Sequence, residues 1–146
     1  MATFISHSPE ETLALGRAWG ESARPGWIVG LSGDLGVGKT QLVKGLAIGL
    51  GVTARVHSPT FAIACEYAGG RLPLAHLDLY RLETPQALRS AGLEDYLLAP
   101  RGVVVVEWFE RWLEHGLPVE AAHLRRVKIE TVNANARRIW YDDSGA

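Results

Sequence analysis

One stretch, Gly33-Asp34-Leu35-Gly36-Val37-Gly38-Lys39-Thr40, restricts this chain more than any other. It meets the pattern G-x-x-x-x-G-K-[ST] at every required position. An apolar strand, Trp27-Ile28-Val29-Gly30-Leu31, reads directly before it. A helix reads after it, with Leu42, Val43, Leu46 and Leu50 on one face and Gly51 where the helix would stop. Glycines at these positions let backbone N–H groups wrap a phosphate, and the positive end of the following helix adds to the attraction. In that pattern Lys39 reaches the β- and γ-phosphates and the Thr40 hydroxyl ligates Mg²⁺. A glycine-rich turn can be only a turn, but Lys-Thr in register between the right flanks points to a nucleoside triphosphate in an α/β fold.

The rest of the composition narrows the setting. A chain of 146 residues is long enough for one properly cored domain, expected here over 1–146. Net charge is −1, so no global basic field advertises nucleic acid, and any RNA contact would be local. Cys65 is the single cysteine, which excludes an internal disulfide, fits a reducing compartment and suits a small core residue. No apolar run approaches the ~20 residues that span a bilayer, and the N-terminus lacks a signal-peptide pattern, so a cytoplasmic location is expected.

In chain order, Ser8-Pro9-Glu10-Glu11 predicts a helix start, with Ser8 as cap, Pro9 at the first position and Glu11 completing a capping box. Leu15, Ala18, Trp19 and Ser22 then follow helical spacing as the face toward a sheet, and Arg24-Pro25-Gly26 turns the chain into the next strand. Pro59 holds Ser58 extended, so His57 to Phe61 reads as loop or strand edge. Strands are predicted over Phe61 to Tyr67 and Leu72 to Leu79, joined at Gly69-Gly70 as an antiparallel pair, with His76 and Asp78 on one face. A short helix capped by Thr84-Pro85 ends at Gly92, and Leu93 to Leu97 adds a helical turn. Val103 to Val106 are β-branched in a row, the composition of a central parallel strand covered on both faces. Val127, Ile129 and Thr131 alternate with Arg126, Lys128 and Glu130, and the chain then returns through Arg138-Ile139-Trp140-Tyr141 as a hairpin. Residues 142–146 are expected to fray. The sum is a three-layer α/β/α phosphate-loop fold with a mixed sheet and a C-terminal hairpin.

Hydrolysis needs a second hold on Mg²⁺, a sensor of the γ-phosphate and a group to orient water. Three residues stand in suitable places. Thr60 lies in an extended loop after the phosphate-loop helix, Asp78 in the strand after that loop, and Glu107 at the C-terminal end of the tetravaline strand, where open α/β sheets place ligands. Each also has a plain structural reading. Ser58-Pro59-Thr60 could be turn chemistry, Asp78 a solvated or capping carboxylate, and Glu107 a buried acid in need of a partner. His7, His57, His76, His115 and His123 show no metal spacing with Cys65, so a structural metal is not expected.

Taken together, Gly33 to Thr40, Ser58-Pro59-Thr60-Phe61, His76-Leu77-Asp78-Leu79-Tyr80-Arg81 and Glu107-Trp108 resemble the bacterial TsaE (YjeE) ATPase family. The resemblance runs from the Glu10-Glu11-Thr12 helix to the final hairpin. It departs at Phe109, where the family often has Pro, and at Ala136, where Gly is common. It implies an Mg²⁺-dependent ATPase for threonylcarbamoyladenosine at position 37 of tRNA, acting with TsaB and TsaD while TsaC makes the donor. It implies tRNA contact through that complex, with no membrane or DNA partner. By resemblance, ATP lies on Asp34, Leu35, Gly36, Val37, Gly38, Lys39, Thr40 and Gln41, with Trp108 close by. Lys39, Asp78 and Glu107 serve catalysis, and Thr40, Thr60, Asp78 and Glu107 form the metal side. Two other readings stay open: a small-molecule kinase, though Arg125-Arg126 and Arg137-Arg138 fall at the hairpin rather than in a lid, and a GTP switch, though no Asn-Lys-x-Asp guanine reader is present. No internal arginine finger is obvious; Arg81 is the one candidate near a motif.

Overall fold

Residues 2–33, 38–53 and 63–144 are described by the computed structural model. Along the chain run β1 (Ala2–Ser6), α1 (Pro9–Ser22), β2 (Trp27–Ser32), α2 (Lys39–Gly49), β3 (Ala64–Tyr67), β4 (Leu74–Asp78), α3 (Pro85–Ser90), α4 (Glu94–Leu98), β5 (Val103–Glu107), α5 (Phe109–Glu114), β6 (His123–Asn133) and β7 (Ala136–Ser144). The strands form one mixed sheet in the order β1-β7-β6-β2-β5-β4-β3. Strands β6, β2, β5 and β4 are mutually parallel; β7 pairs antiparallel with both β6 and the edge strand β1, and β3 pairs antiparallel with β4 at the other edge.

The tetravaline strand β5 lies inside this sheet between β2 and β4, and every one of its residues is buried. Period-two alternation divides it between two cores. Val103 and Val105 pack with Trp19, Leu42 and Leu46 beneath α1 and α2. Val104 and Val106 pack with Leu88, Leu97, Phe109 and Trp112 beneath α3, α4 and α5. Helices therefore cover both faces, the arrangement that a run of apolar residues without alternation requires.

Helix α1 starts as its sequence predicts: the Ser8 hydroxyl accepts from the Glu11 N–H at 3.1 Å. The Glu11 carboxylate, however, accepts from the His7 N–H, one residue before the cap. The buried face also differs from the expected one. It consists of Thr12, Gly16, Trp19 and Gly20, while Ala18 and Ser22 are exposed. The reason is the closeness of α2. A Cβ at Gly16 or Gly20 would collide with the Leu42 or Leu46 carbonyl oxygen, and one at Gly45 or Gly49 with the Leu13 or Arg17 carbonyl oxygen. Glycine at four-residue spacing on both helices thus lets the two backbones touch.

Strand β7 continues through Ser144, pairing Asp142 with Arg126 and Asp143 with Arg125, so residues 142–144 belong to the sheet. No described helix is long and apolar enough to cross a membrane.

Candidate nucleotide site

Strands β2, β4 and β5 and the starts of α2 and α5 converge at the C-terminal ends of the parallel strands. Strand β2 runs into Gly33, and α2 starts at Lys39 from Gly38, whose φ of 102° is a left-handed value that a side chain would resist. Gly38 caps α2 without a side-chain hydrogen bond, and the first turn carries no acidic residue. The first turn lies at the electropositive end of the helix, where backbone N–H groups have no partner within the helix itself. Lys39 is 4% exposed and donates from Nζ to the Gly33 carbonyl at 3.0 Å. Thr40 and Gln41 follow in the same turn. Asp34, Leu35, Gly36, Val37 and Thr60, with the Ser58 to Phe61 motif, lie outside the described residues.

Glu107 closes β5 beside this helix start. It is 5% exposed, with Oε1 4.0 Å from Lys39 Nζ and Oε2 2.6 Å from His76 Nε2. His76, fully buried in β4, shares its sheet face with Asp78. Glu107 Oε2 accepts from His76 Nε2 in the tautomer that carries its hydrogen on that nitrogen. One oxygen of the carboxylate thereby meets a fully buried ring, and the other lies 4.0 Å from the ammonium.

Asp78 faces Glu107 across the β4–β5 register. Its Oδ1 accepts from the Tyr80 N–H at 3.0 Å, and it has no ion-pair partner among the described residues. Desolvation holds its carboxyl above the ordinary range, the Tyr80 N–H pulls the other way, and the Glu107 charge adds to the rise. A cation placed here would reverse that penalty. Among the described residues no three His, Cys, Asp or Glu converge as a metal cage. Mg²⁺ held between phosphates and one or two carboxylates needs none, and Thr40 with Asp78 supplies fitting oxygen donors.

Trp108 is the one non-glycine residue with positive φ among those described, at φ 59° and ψ 38°. The left-handed turn costs about 1–2 kcal/mol and is held by what surrounds it. Phe109 drops onto the sheet against Gly30, where a Cβ would clash with its ring. The Trp108 ring in turn receives Lys39 Nζ at 5.0 Å, the Arg111 guanidinium at 5.0 Å and the Tyr80 ring at 5.3 Å.

Of the residues singled out by sequence, Lys39, Glu107, Trp108 and Asp78 thus come together at the start of α2. His76, Tyr80 and Arg111 join them without having been singled out as site residues. The alternation that pairs His76 with Asp78 marks the first, and the three-residue step from Trp108 on a helix marks the last. Arg81 is exposed and holds none of these groups. The groove between α5 and the β6–β7 hairpin, lined by Phe109, Leu113, Lys128 and Trp140, contains no Lys39, Asp78 or Glu107. Converging buried charge, not concavity, marks the site.

A family model described as "Threonylcarbamoyl adenosine biosynthesis protein TsaE" matches residues 6–139. The chain belongs to the TsaE family. Among curated relatives, the "tRNA threonylcarbamoyladenosine biosynthesis protein TsaE" of Nostoc sp. is 51% identical over 106 residues, covering 70% of this chain and 64% of that protein. The protein of the same name from Bacillus subtilis is 46% identical over 113 residues, covering 77% of this chain and 69% of that one. The match to the Nostoc TsaE thus spans just under two thirds of its length. A crystal structure of Bacillus subtilis YdiB superposes with a TM-score of 0.78 at 34% identity, covering 99% of this chain and 86% of that chain. Both the α/β phosphate-loop fold and the TsaE resemblance carried by the motifs are therefore borne out.

Proposed function

We propose that this TsaE-family chain is an Mg²⁺-dependent ATPase that drives formation of threonylcarbamoyladenosine at position 37 of tRNA, in the cytoplasm and together with TsaB and TsaD. The observation that supports it best is the buried Lys39–Glu107–His76 array at the start of α2. Lys39 and the first N–H groups of α2 hold the phosphate chain. Thr40, Asp78 and Thr60 hold the metal side, where Mg²⁺ neutralises charge building on the phosphate oxygens. Glu107 is committed to His76, and so serves as the group that orients water and accepts its proton. The water oxygen bonds to the γ-phosphorus, the bond to the β–γ bridging oxygen breaks, and ADP and phosphate leave. Adenine is preferred over guanine because no Asn-Lys-x-Asp reader is present. tRNA is engaged through the partner complex, consistent with a net charge of −1.

Phosphate release at saturating ATP tests this reading. The expected result is slow, Mg²⁺-dependent turnover alone and faster turnover with TsaB and TsaD. Equal turnover with and without the partners would remove the coupling, and no hydrolysis in either state would remove the ATPase.

A further inference from the structure

Arg111 stands one helical turn past Trp108, its backbone N–H donating to the Trp108 carbonyl at 3.0 Å. Its guanidinium lies over two rings, 5.0 Å from the Trp108 centroid and 5.8 Å from that of Tyr80. No carboxylate among the described residues pairs with it, and its Nη1 is buried without a hydrogen-bond partner. Stacking occupies the flat face of a guanidinium and leaves the N–H edge free, and that edge matches a phosphate or carboxylate in a two-pronged contact. A cation at a half-buried position with a buried, unpartnered Nη1 is a costly arrangement unless an anion arrives.

Position says which anion. Lys39 Nζ sits 5.0 Å from the same Trp108 ring, so ammonium and guanidinium are at most about 10 Å apart, within reach of one phosphate chain. Trp108 directly follows Glu107, the carboxylate read above as orienting water. The cation stacked on Trp108 therefore belongs to the terminal end of that chain rather than the nucleoside end. We propose that Arg111 is a second phosphate-binding cation, supplied within this chain, whose N–H edge contacts the terminal phosphate of a bound nucleoside triphosphate opposite Lys39. The inference rests on the nucleotide reading of the site. It gives the chain an arginine where the sequence motifs offer only Arg81.

Calorimetric titration with ADP and with a non-hydrolysable ATP analogue, both with Mg²⁺, tests it on wild type, Arg111→Ala and Arg111→Lys. Loss of a charge-assisted contact to the terminal phosphate should weaken the analogue about 10- to 100-fold in Arg111→Ala and leave ADP within about 2-fold. Arg111→Lys keeps stem and charge but not the fork, and should fall between; it decides the matter should the alanine variant fail to fold. Unchanged affinity for both nucleotides would overturn the proposal. Equal weakening of both would also overturn it, making Arg111 a brace for Trp108. A wild type that binds neither nucleotide would instead sink the site reading itself, and this inference with it.

Discussion

Two clusters in this molecule set cations against aromatic rings, and they are finished differently. On the β6–β7 side, the Arg125 guanidinium lies 4.8 Å from Trp19, 5.2 Å from Trp27 and 4.7 Å from Tyr141. Asp143 closes it with two hydrogen bonds, at 2.7 and 2.9 Å, and His123 stacks on Trp27 while facing the same carboxylate at 3.3 Å. Arg125 and Asp143 close on each other there, although His123 Nε2 makes no hydrogen bond. At the start of α2 the same ingredients are left incomplete. Among the described residues, Lys39 has one carbonyl and a carboxylate at 4.0 Å, Asp78 has no cation, and Arg111 has no acid. Carboxylate and cation left unpaired side by side mark the second corner as the candidate ligand site.

The contrast can be broken most forcefully at Glu107. In Glu107→Gln the amide oxygen still accepts from His76, so fold and nucleotide binding should persist while single-turnover hydrolysis falls about 10²–10⁴-fold. A lower melting temperature with normal hydrolysis per folded molecule would make this corner as structural as the other. Arg125→Ala should do the converse, costing about 1–3 kcal/mol in urea unfolding with turnover per folded molecule unchanged. Lost activity at full stability would erase the distinction.

The smallest effect expected is a pH dependence. The Arg125 hydrogen bonds hold the Asp143 carboxyl below its ordinary value of 3.8, with the Arg125 charge and His123 adding to the fall against partial desolvation. A depressed carboxyl stabilises the fold fully above the unfolded value and loses that contribution as pH falls through the folded one. Asp143 is 37% exposed, so solvent screening keeps the contribution small. The melting-temperature gap between wild type and Asp143→Asn should be constant near neutrality and narrow below about pH 4. A gap that widens in acid would contradict the assignment.

Much of this was legible without coordinates, for identifiable reasons. Four valines in a row admit only a doubly covered strand, and the phosphate loop carries its own spacing, so β5, β2 and α2 follow from local sequence. What escapes depends on distant partners. β1 forms because β7 offers it an edge, and residues 142–144 belong to the sheet because β6 reaches that far. The face of α1 was misplaced because hydrophobic spacing favours Leu15 and Ala18, whereas backbone contact selects Gly16 and Gly20. Within the site, Lys39 and Glu107 are readable from position alone. Arg111 acquires meaning only when β4 delivers Tyr80 and β5 delivers Trp108 to its two sides.

The glycine contact between α1 and α2 has a mechanical consequence. Most packed helices are separated by a layer of side chains that can change rotamer and absorb small displacements. Gly16, Gly20, Gly45 and Gly49 remove that cushion, leaving backbone bearing on backbone. The pair is therefore stiff in compression, and any tilt imposed on α1 is handed to α2 undamped. Lys39 is the first residue of α2, so the aim of its ammonium toward Glu107 inherits the alignment of a helix that contributes nothing to the chemistry. A misplacement of about 1 Å can cost a reaction about 10²-fold. A methyl group at Gly16 or Gly20, on a helix that holds none of the site's charged groups, would thus detune the corner as thoroughly as a change within it.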